Sequence, residues 1–542
     1  MDDKIKRATE CLTNGETARG RRLLEQVLST DPANVRALWL LSGLQEARGD
    51  VDDWFATLKK LRDLLPDELA VLDEQARAFA KVKRLPDSLM AYREFLQKNP
   101  GSSSARYNYA HYLVRSGDFR EAIVQYEMLL GGDVEKPEEV HLNLSNLLSE
   151  HLNEYQRSKD HLEKALKLNP KYTAAWFNLG NLNEQMGELL EARKCFEQVT
   201  EIGDEEGGAL ARIADLTRFD GDDEAEILLA MEKKLHLNEN PNPDLMFSLG
   251  RAYEQKGKHK ESLYMYESAN SIDRHFLPPY NQESMAAFID KIQKDYSDNP
   301  SSVSADLDLG QVFICGNFRS GSTLLEQMLA GHSNFSAGGE RGYFRKIARD
   351  SRVKFPTAEA LDQDLRLELA DQYNRETLNL FGQEVRVTDK RPDNLILIGL
   401  IKQVLPAAKF IITQRDRLDV AWSIFTTRFG PELPYATSME NILHFIGLQE
   451  KIAEHWSNIY EADVTFVSYE DLVEDPKKEL TRLLKALGEE WEEGCLNFRE
   501  LKNFVTTASS AQVRRPLNSK SLGRSQPYHE YMNEKAKKRS AS

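Results

Sequence analysis

Cysteine is scarce in this chain. The four present in 542 residues (Cys11, Cys195, Cys315 and Cys495) lie far apart, with no CxxC pair. That excludes a disulfide scaffold and a structural zinc site built on paired cysteines, and a reducing compartment is expected. No apolar run approaches the ~20 residues that span a bilayer, and the opening MDDKIKRATE has no apolar signal core. The expectation is therefore no membrane span and a cytoplasmic location. Positive charge is in deficit: 71 Lys and Arg against 87 Asp and Glu give a formal charge of -16. This speaks against a nucleic-acid partner but leaves room for a local basic pocket for a phosphorylated ligand. No His/Asp/Glu cluster suggests a metal. Apolar residues at 41% and charged residues at 29% suffice for packed cores and a wetted surface. The length corresponds to about three or four domain-sized units.

The first half repeats itself. Pro32, Pro66 and Pro100 stand 34 residues apart, as do Gly15 and Gly49, and Leu24, Leu58, Tyr92 and Tyr126 keep the same step. That period is the tetratricopeptide value, and the segments have the matching composition. In WFNLGNLNEQMGELLEARKCFEQV (176–199), Trp176, Leu179 and Leu182 share a helical face. Gly180 admits a close neighbour, Gly187 marks the turn, and Ala192 and Phe196 face back. Asp31-Pro32, Asn99-Pro100 and Asn169-Pro170 end second helices, because proline cannot continue them. About eight helix pairs are expected over residues 1–280, stacked as an all-α solenoid whose concave face takes a protein partner.

The period changes after residue 296. A helix over 282–296 and the Ser/Asp/Pro-rich segment 297–310 make a helix and linker, 281–310. Short β-branched runs then alternate with helical stretches: Val312–Cys315, Val385–Thr388, Lys409–Thr413 and Val464–Val467. They predict an α/β domain with a parallel sheet over 311–532, followed by a disordered charged tail, 533–542. Ligands of such sheets sit beyond the carboxyl ends of the strands.

The first of those ends runs into Gly316-Asn-Phe-Arg-Ser-Gly-Ser-Thr323 and then a helix. A Gly/Ser loop at a helix N-terminus offers backbone N–H groups and the helix dipole to an anion. The spacing is that of a nucleotide-binding P-loop, but Ser322 stands where the lysine of a triphosphatase belongs, and Arg319 lies inside the loop. A kinase reading is therefore disfavoured. The segment FICGNFRSGSTLLEQML resembles the 5′-phosphosulfate-binding loop of sulfotransferases, whose donor is 3′-phosphoadenosine 5′-phosphosulfate (PAPS). With the repeats, the chain resembles bacterial tetratricopeptide-repeat sulfotransferases and, more distantly, tyrosylprotein sulfotransferases.

That resemblance implies a site. Ser320, Gly321, Ser322 and Thr323 belong to the donor loop, and Arg319 is placed to neutralise the bridging 5′-phosphate. FIITQRD ends a strand at Arg415, with Ser423 eight residues on, which matches the family's 3′-phosphate site. A forked guanidinium plus a hydroxyl suits that group. Glu340, in SAGGE 17 residues after Thr323, matches the catalytic base. Lys390, in TDKRPDN, matches the lysine that contacts the transferring sulfonate. Tyr469 in FVSYEDL, Ser510 in ASSAQVRRP and Arg524 in LGR match positions near the nucleotide, the transferred group and the 3′-phosphate end. Residues 506–523 match the cofactor-covering loop, after which Ser525 replaces the usual tryptophan. His332, in AGHS, is the rival base, expected instead to cap the first helix or to pack.

The expected function is sulfonate transfer from PAPS to an acceptor hydroxyl, with protein tyrosine a candidate acceptor and the repeats recruiting it or a partner. A repeat adaptor with an inactive transferase-like domain is the alternative.

Overall fold

The computed structural model describes residues 1–219, 224–237, 241–297, 310–357, 361–382, 386–501 and 521–539. Sixteen helices among them, α1 (Asp2–Thr13) to α16 (His259–Phe276), make up the eight expected pairs. The prolines act as stops: helices end at Thr30, Lys98 and Leu168, just before the three Asx-Pro steps. Turns inside pairs use the left-handed conformation, as at Gly49 and Gly117 (φ 73° and 85°). Between helices of later pairs, close approach matters more. A Cβ on Gly180 would lie 2.6 Å from the ring of the fully buried Phe196. Trp176, expected in the core, is only half-buried and packs at its edge beside Ala192 and Phe196.

The remaining elements are α17 (Gln282–Asp295), β1 (Val312–Gly316), α18 (Ser322–Leu329), β2 (Phe335–Ala337), α19 (Tyr343–Ile347), α20 (Gln363–Phe381), β3 (Arg386–Lys390), α21 (Asn394–Val404), β4 (Lys409–Gln414), α22 (Arg417–Phe425), α23 (Met439–Ile459), β5 (Val464–Ser468), α24 (Tyr469–Glu474), α25 (Pro476–Ala486) and α26 (His529–Arg539). The five strands form one parallel sheet in the order β2-β3-β1-β4-β5. Alternate side chains of β1 serve opposite faces. Phe313 and Cys315 join Phe410, Ile398, Tyr373 and Trp456 on one side; Val312 and Ile314 join Leu325, Leu329 and Leu483 on the other. With helices on both faces, the strands read as continuous apolar runs.

Three expectations need correction. β2 was not anticipated: Phe-Ser-Ala carries no β-branched run, and its pairing with β3 makes it a strand. β3 extends through Asp389 and Lys390, charged residues that the apolar pattern left outside. The expected disordered tail is helical to Arg539, because Met532 is fully buried beside Tyr528, in an apolar stripe hidden by the surrounding charge. Most of the expected linker, 298–309, lies outside the described residues, as do 540–542.

The chain forms two compact units, Met1–Ala175 and Trp176–Ser542, so the division does not follow the change of motif at residue 280. Within the second unit the last repeat pair, α15 (Pro243–Gln255) and α16, shares a core with α22 and α23: Phe247, Tyr266 and Ala269 pack with Trp422, Phe425 and Ile442. Asn270 donates to the Phe425 carbonyl at 2.9 Å, and Arg428 makes a forked pair to Asp273 at 2.9 and 2.8 Å. All four cysteines are free and buried. Among the described residues no helix is long and apolar enough to cross a membrane.

Two stability tests follow from this packing. Gly180→Val should lower unfolding stability by roughly 1–3 kcal/mol, through overpacking against Phe196. A urea midpoint equal to that of the parent would contradict the close approach. Asp389 is buried and accepts from Asn394 Nδ2 at 3.1 Å. Burial, opposed by the Arg341 charge, pushes its carboxyl up from 3.8 to about 7. Between those values the unfolded chain releases a proton that the folded chain keeps, so stability should fall as pH rises through that window and level off above it. Asp389→Asn should remove this slope; denaturation of both chains from about pH 4 to 8 reads it.

Candidate functional site

β1 lies between β3 and β4, so the loops after β1 and β4 leave the same sheet edge side by side, where the strand order reverses. The register pairs Gly316 with Thr413. Ser320 ties the two loops: its hydroxyl lies 2.6 Å from both the Asn317 carbonyl and Thr413 Oγ1. Arg319 takes a positive φ of 68°, a left-handed residue in the middle of the loop. Gly321, with φ 98°, precedes α18, and a Cβ there would sit 2.4 Å from the Tyr469 ring. Ser322 and Thr323 open α18 and are buried. The first-turn N–H groups of a helix have no intrahelical partner, which suits an anion.

The loop arginine and the second motif meet directly. Arg319 Nε donates to Ser423 Oγ at 3.0 Å. Arg415 NH1 donates to the Arg319 carbonyl at 3.3 Å, and the Arg415 guanidinium lies 4.5 Å from the Tyr469 ring centroid. Arg415 Nε is buried and has no hydrogen-bond partner among the described residues. Burial, followed by the charges of Arg524, Arg415 and Arg251, pushes the Arg319 guanidinium down to about 9. Arginine does not discharge in practice, so the direction reflects first the burial of a charged group and second its cationic neighbours, both of which a bound anion would offset.

A second cluster sits at the ends of β2 and β3. Lys390 is fully buried, and its ammonium donates to Glu340 Oε1 at 2.7 Å; the Glu340 side chain stays about one-third exposed (31%). The turn carrying Glu340 is held from behind by Glu326 of α18. Glu326 Oε1 accepts from Gly339 N at 3.0 Å and from Thr388 Oγ1 at 3.1 Å. Burial pushes the Glu326 carboxyl up, against the lowering effects of Lys390 and these hydrogen bonds. Sequence reasoning missed Glu326; its signal is one carboxylate inside the apolar LLEQML helix. His332 is engaged at both ring nitrogens: Nε2 donates to the Glu490 carbonyl at 2.9 Å and Nδ1 accepts from Asn334 N at 3.1 Å. It serves packing, through these bonds rather than a helix cap.

The C-terminal segment 521–528 completes the picture. Tyr469 OH and Ser521 Oγ lie 2.7 Å apart, and Arg415 donates to the Ser521 carbonyl. Asp419 of α22, buried and also missed, accepts from Gly523 N at 2.7 Å and Ser525 N at 2.9 Å. Where the tryptophan is missing, Tyr528 stacks on Trp422 with ring centroids 3.7 Å apart. Arg524 makes a forked pair to Glu254 of α15, at 2.7 and 2.6 Å. Ser510 lies outside the described residues.

Known proteins resemble the two parts of the chain separately. Residues 311–493 match the model of the sulfotransferase family, and residues 5–68, 74–133, 138–172, 161–194 and 243–276 match tetratricopeptide-repeat models. An uncharacterized protein of Aquifex aeolicus (strain VF5) is 25% identical over 427 residues, covering 74% of this chain and 55% of that one. A protein-tyrosine sulfotransferase of Drosophila melanogaster is 26% identical over 250 residues, covering 42% and 49%. The chain thus spans about half the length of these two relatives. The solved sulfotransferase domain of the Synechococcus PCC 7002 olefin synthase shares 20% identity, with 43% of this chain and 98% of that one covered and a TM-score of 0.30. The chain thus carries tetratricopeptide repeats followed by a domain, residues 311–493, that matches the sulfotransferase family.

Proposed function

We propose that the C-terminal domain moves a sulfonate from PAPS to an acceptor hydroxyl. The observation that carries this reading is the junction of Arg319 and Ser423, with Arg415 against the same loop. Read as a 5′-side anion loop beside a 3′-phosphate pair, this junction supports one adenine nucleotide phosphorylated at both ends. ATP lacks the 3′-phosphate that Arg415 and Ser423 would bind.

The transfer breaks the bond between sulfur and the bridging oxygen of the donor and forms a new sulfur–oxygen bond to the acceptor. The acceptor proton goes to Glu340, and adenosine 3′,5′-bisphosphate leaves. Positioning and cationic stabilisation dominate such a transfer, by analogy with phosphoryl transfer. Lys390, buried beside Glu340, supplies charge to the sulfonate and the leaving oxygen, and Arg319 supplies it to the 5′-phosphate. Glu326 positions the Gly339–Glu340 turn. Tyr469 backs the loop and Arg415, Arg524 serves the 3′ end, and Ser510 is assigned near the transferred group by resemblance alone. Protein tyrosine is the proposed acceptor, supported by the relative named as a protein-tyrosine sulfotransferase. The repeats, as tetratricopeptide units, are proposed to recruit that protein or a partner.

Separate losses test the roles. Glu340→Ala should cut turnover roughly 10²–10⁴-fold and leave binding of adenosine 3′,5′-bisphosphate nearly unchanged. Arg415→Ala should weaken that binding roughly 10–100-fold. Equal loss of binding in both variants would contradict the assignment. Gly321→Ala, strained at positive φ and colliding with Tyr469, should weaken nucleotide binding with little change in the overall fold by circular dichroism; parent-like affinity would count against the loop as the donor site.

A further inference from the structure

Beside the residues already assigned, the repeats bring Glu254 to the site. Glu254 lies on α15, in the last repeat pair, and takes both Nε and NH2 of Arg524 at 2.7 and 2.6 Å. Its carboxylate is nearly buried and also accepts from Trp422 Nε1 at 3.3 Å and Tyr266 OH at 3.2 Å. Burial alone would raise the Glu254 carboxyl, yet the Arg524 charge and these hydrogen bonds hold it below its ordinary value. A guanidinium has five N–H donors. Glu254 engages two nitrogens on one edge and leaves NH1, with the second hydrogen of NH2, to another acceptor. Arg524 is also the neighbouring charge that acts most strongly on Arg319, ahead of Arg415, and Arg251, one turn back on α15, acts on it as well.

The flanking residues explain why Arg524 needs a second anchor. Asp419 fixes the backbone on either side of it, at Gly523 and Ser525, but does not set the direction of the long side chain. Four rotatable bonds separate that backbone from the guanidinium. A simple tie between the repeats and the domain would not need an arginine here, since Asn270, Asp273 and the shared apolar core already make one.

We infer that the last repeat pair is a working part of the donor site, with Glu254 a positioning residue that aims Arg524 at the 3′-phosphate held by Arg415. This rests on the donor reading above. The repeats then do more than capture a partner: one of their carboxylates sets the affinity for the nucleotide.

A double-mutant cycle on the full chain tests this, with adenosine 3′,5′-bisphosphate as the probe in calorimetric titrations and thermal unfolding as a check on the fold. Arg524→Ala should weaken binding roughly tenfold or more, and Glu254→Gln, which keeps the shape but loses the charge, by a smaller factor. The double variant should bind no more weakly than Arg524→Ala, because Glu254 acts only through that arginine. Parent-like binding by Glu254→Gln overturns the inference. So does the same loss from Glu254→Gln with and without Arg524, which is the signature of a purely structural role. Should Glu254→Gln fail to fold, Glu254→Asp is read in the same cycle, with the same two outcomes deciding. Absence of saturable binding by the parent chain would overturn the donor reading itself and the inference with it, whereas parent binding with a failed cycle overturns the inference alone.

Discussion

The parallel pairing of β1 with β4 is the constraint on which the candidate site depends. It joins segments about a hundred residues apart and brings two strand ends to one edge, with Gly316 opposite Thr413. Everything specific about the site follows from that register. Ser320 can bridge the loops only because Thr413 stands there, and Arg319 can reach Ser423 only because α22 starts where β4 ends. A slip of one residue would turn the inward side chains of β4 to the other face of the sheet and separate the two arginines.

Electrostatics then decides what the junction can hold. The chain as a whole carries a formal charge of -16, yet arginines gather at this edge. Two carboxylates lie among them: Asp419 accepts two backbone N–H groups and lies 3.9 Å from Arg415 NH2, and Glu254 is paired with Arg524. Arg415 keeps a buried Nε without a hydrogen-bond partner among the described residues. That unsatisfied donor, beside the arginines grouped around Arg319, favours an anionic ligand, since a buried donor without an acceptor is costly. The Glu340–Lys390 ion pair lies at the neighbouring strand end; on the proposed reading these are the proton acceptor and the cation of the transfer.

Much of this was legible in the sequence, for reasons that differ by region. Repeats are written at short range, so the step of 34 and the Asx-Pro stops give the helix pairs directly. The apolar runs of β1, β4 and β5 are equally plain, because a sheet buried on both faces leaves little room for polar residues. β2 was not legible, since three residues without a branched side chain become a strand only through their partner. β3 was truncated, because buried Asp389 and Lys390 look like surface charge until the strand is seen to carry them inward. The loop and the Arg415–Ser423 pair could be matched residue by residue to a known pattern. Glu326, Asp419 and Glu254 could not, because each acts by holding another group, and sequence spacing does not show which group that is. The helix at the C-terminus was hidden for a similar reason: Met532 is buried by residues far away in the chain.

The most direct measurement is a crystal structure of the full chain with adenosine 3′,5′-bisphosphate. The expected result is one nucleotide lying across the edge between β1 and β4, its 5′-phosphate on the loop at Ser320–Thr323 and its 3′-phosphate on Arg415 and Ser423. A nucleotide bound with either phosphate elsewhere, or a distance between Ser322 and Ser423 that one such molecule cannot bridge, would contradict the assignment.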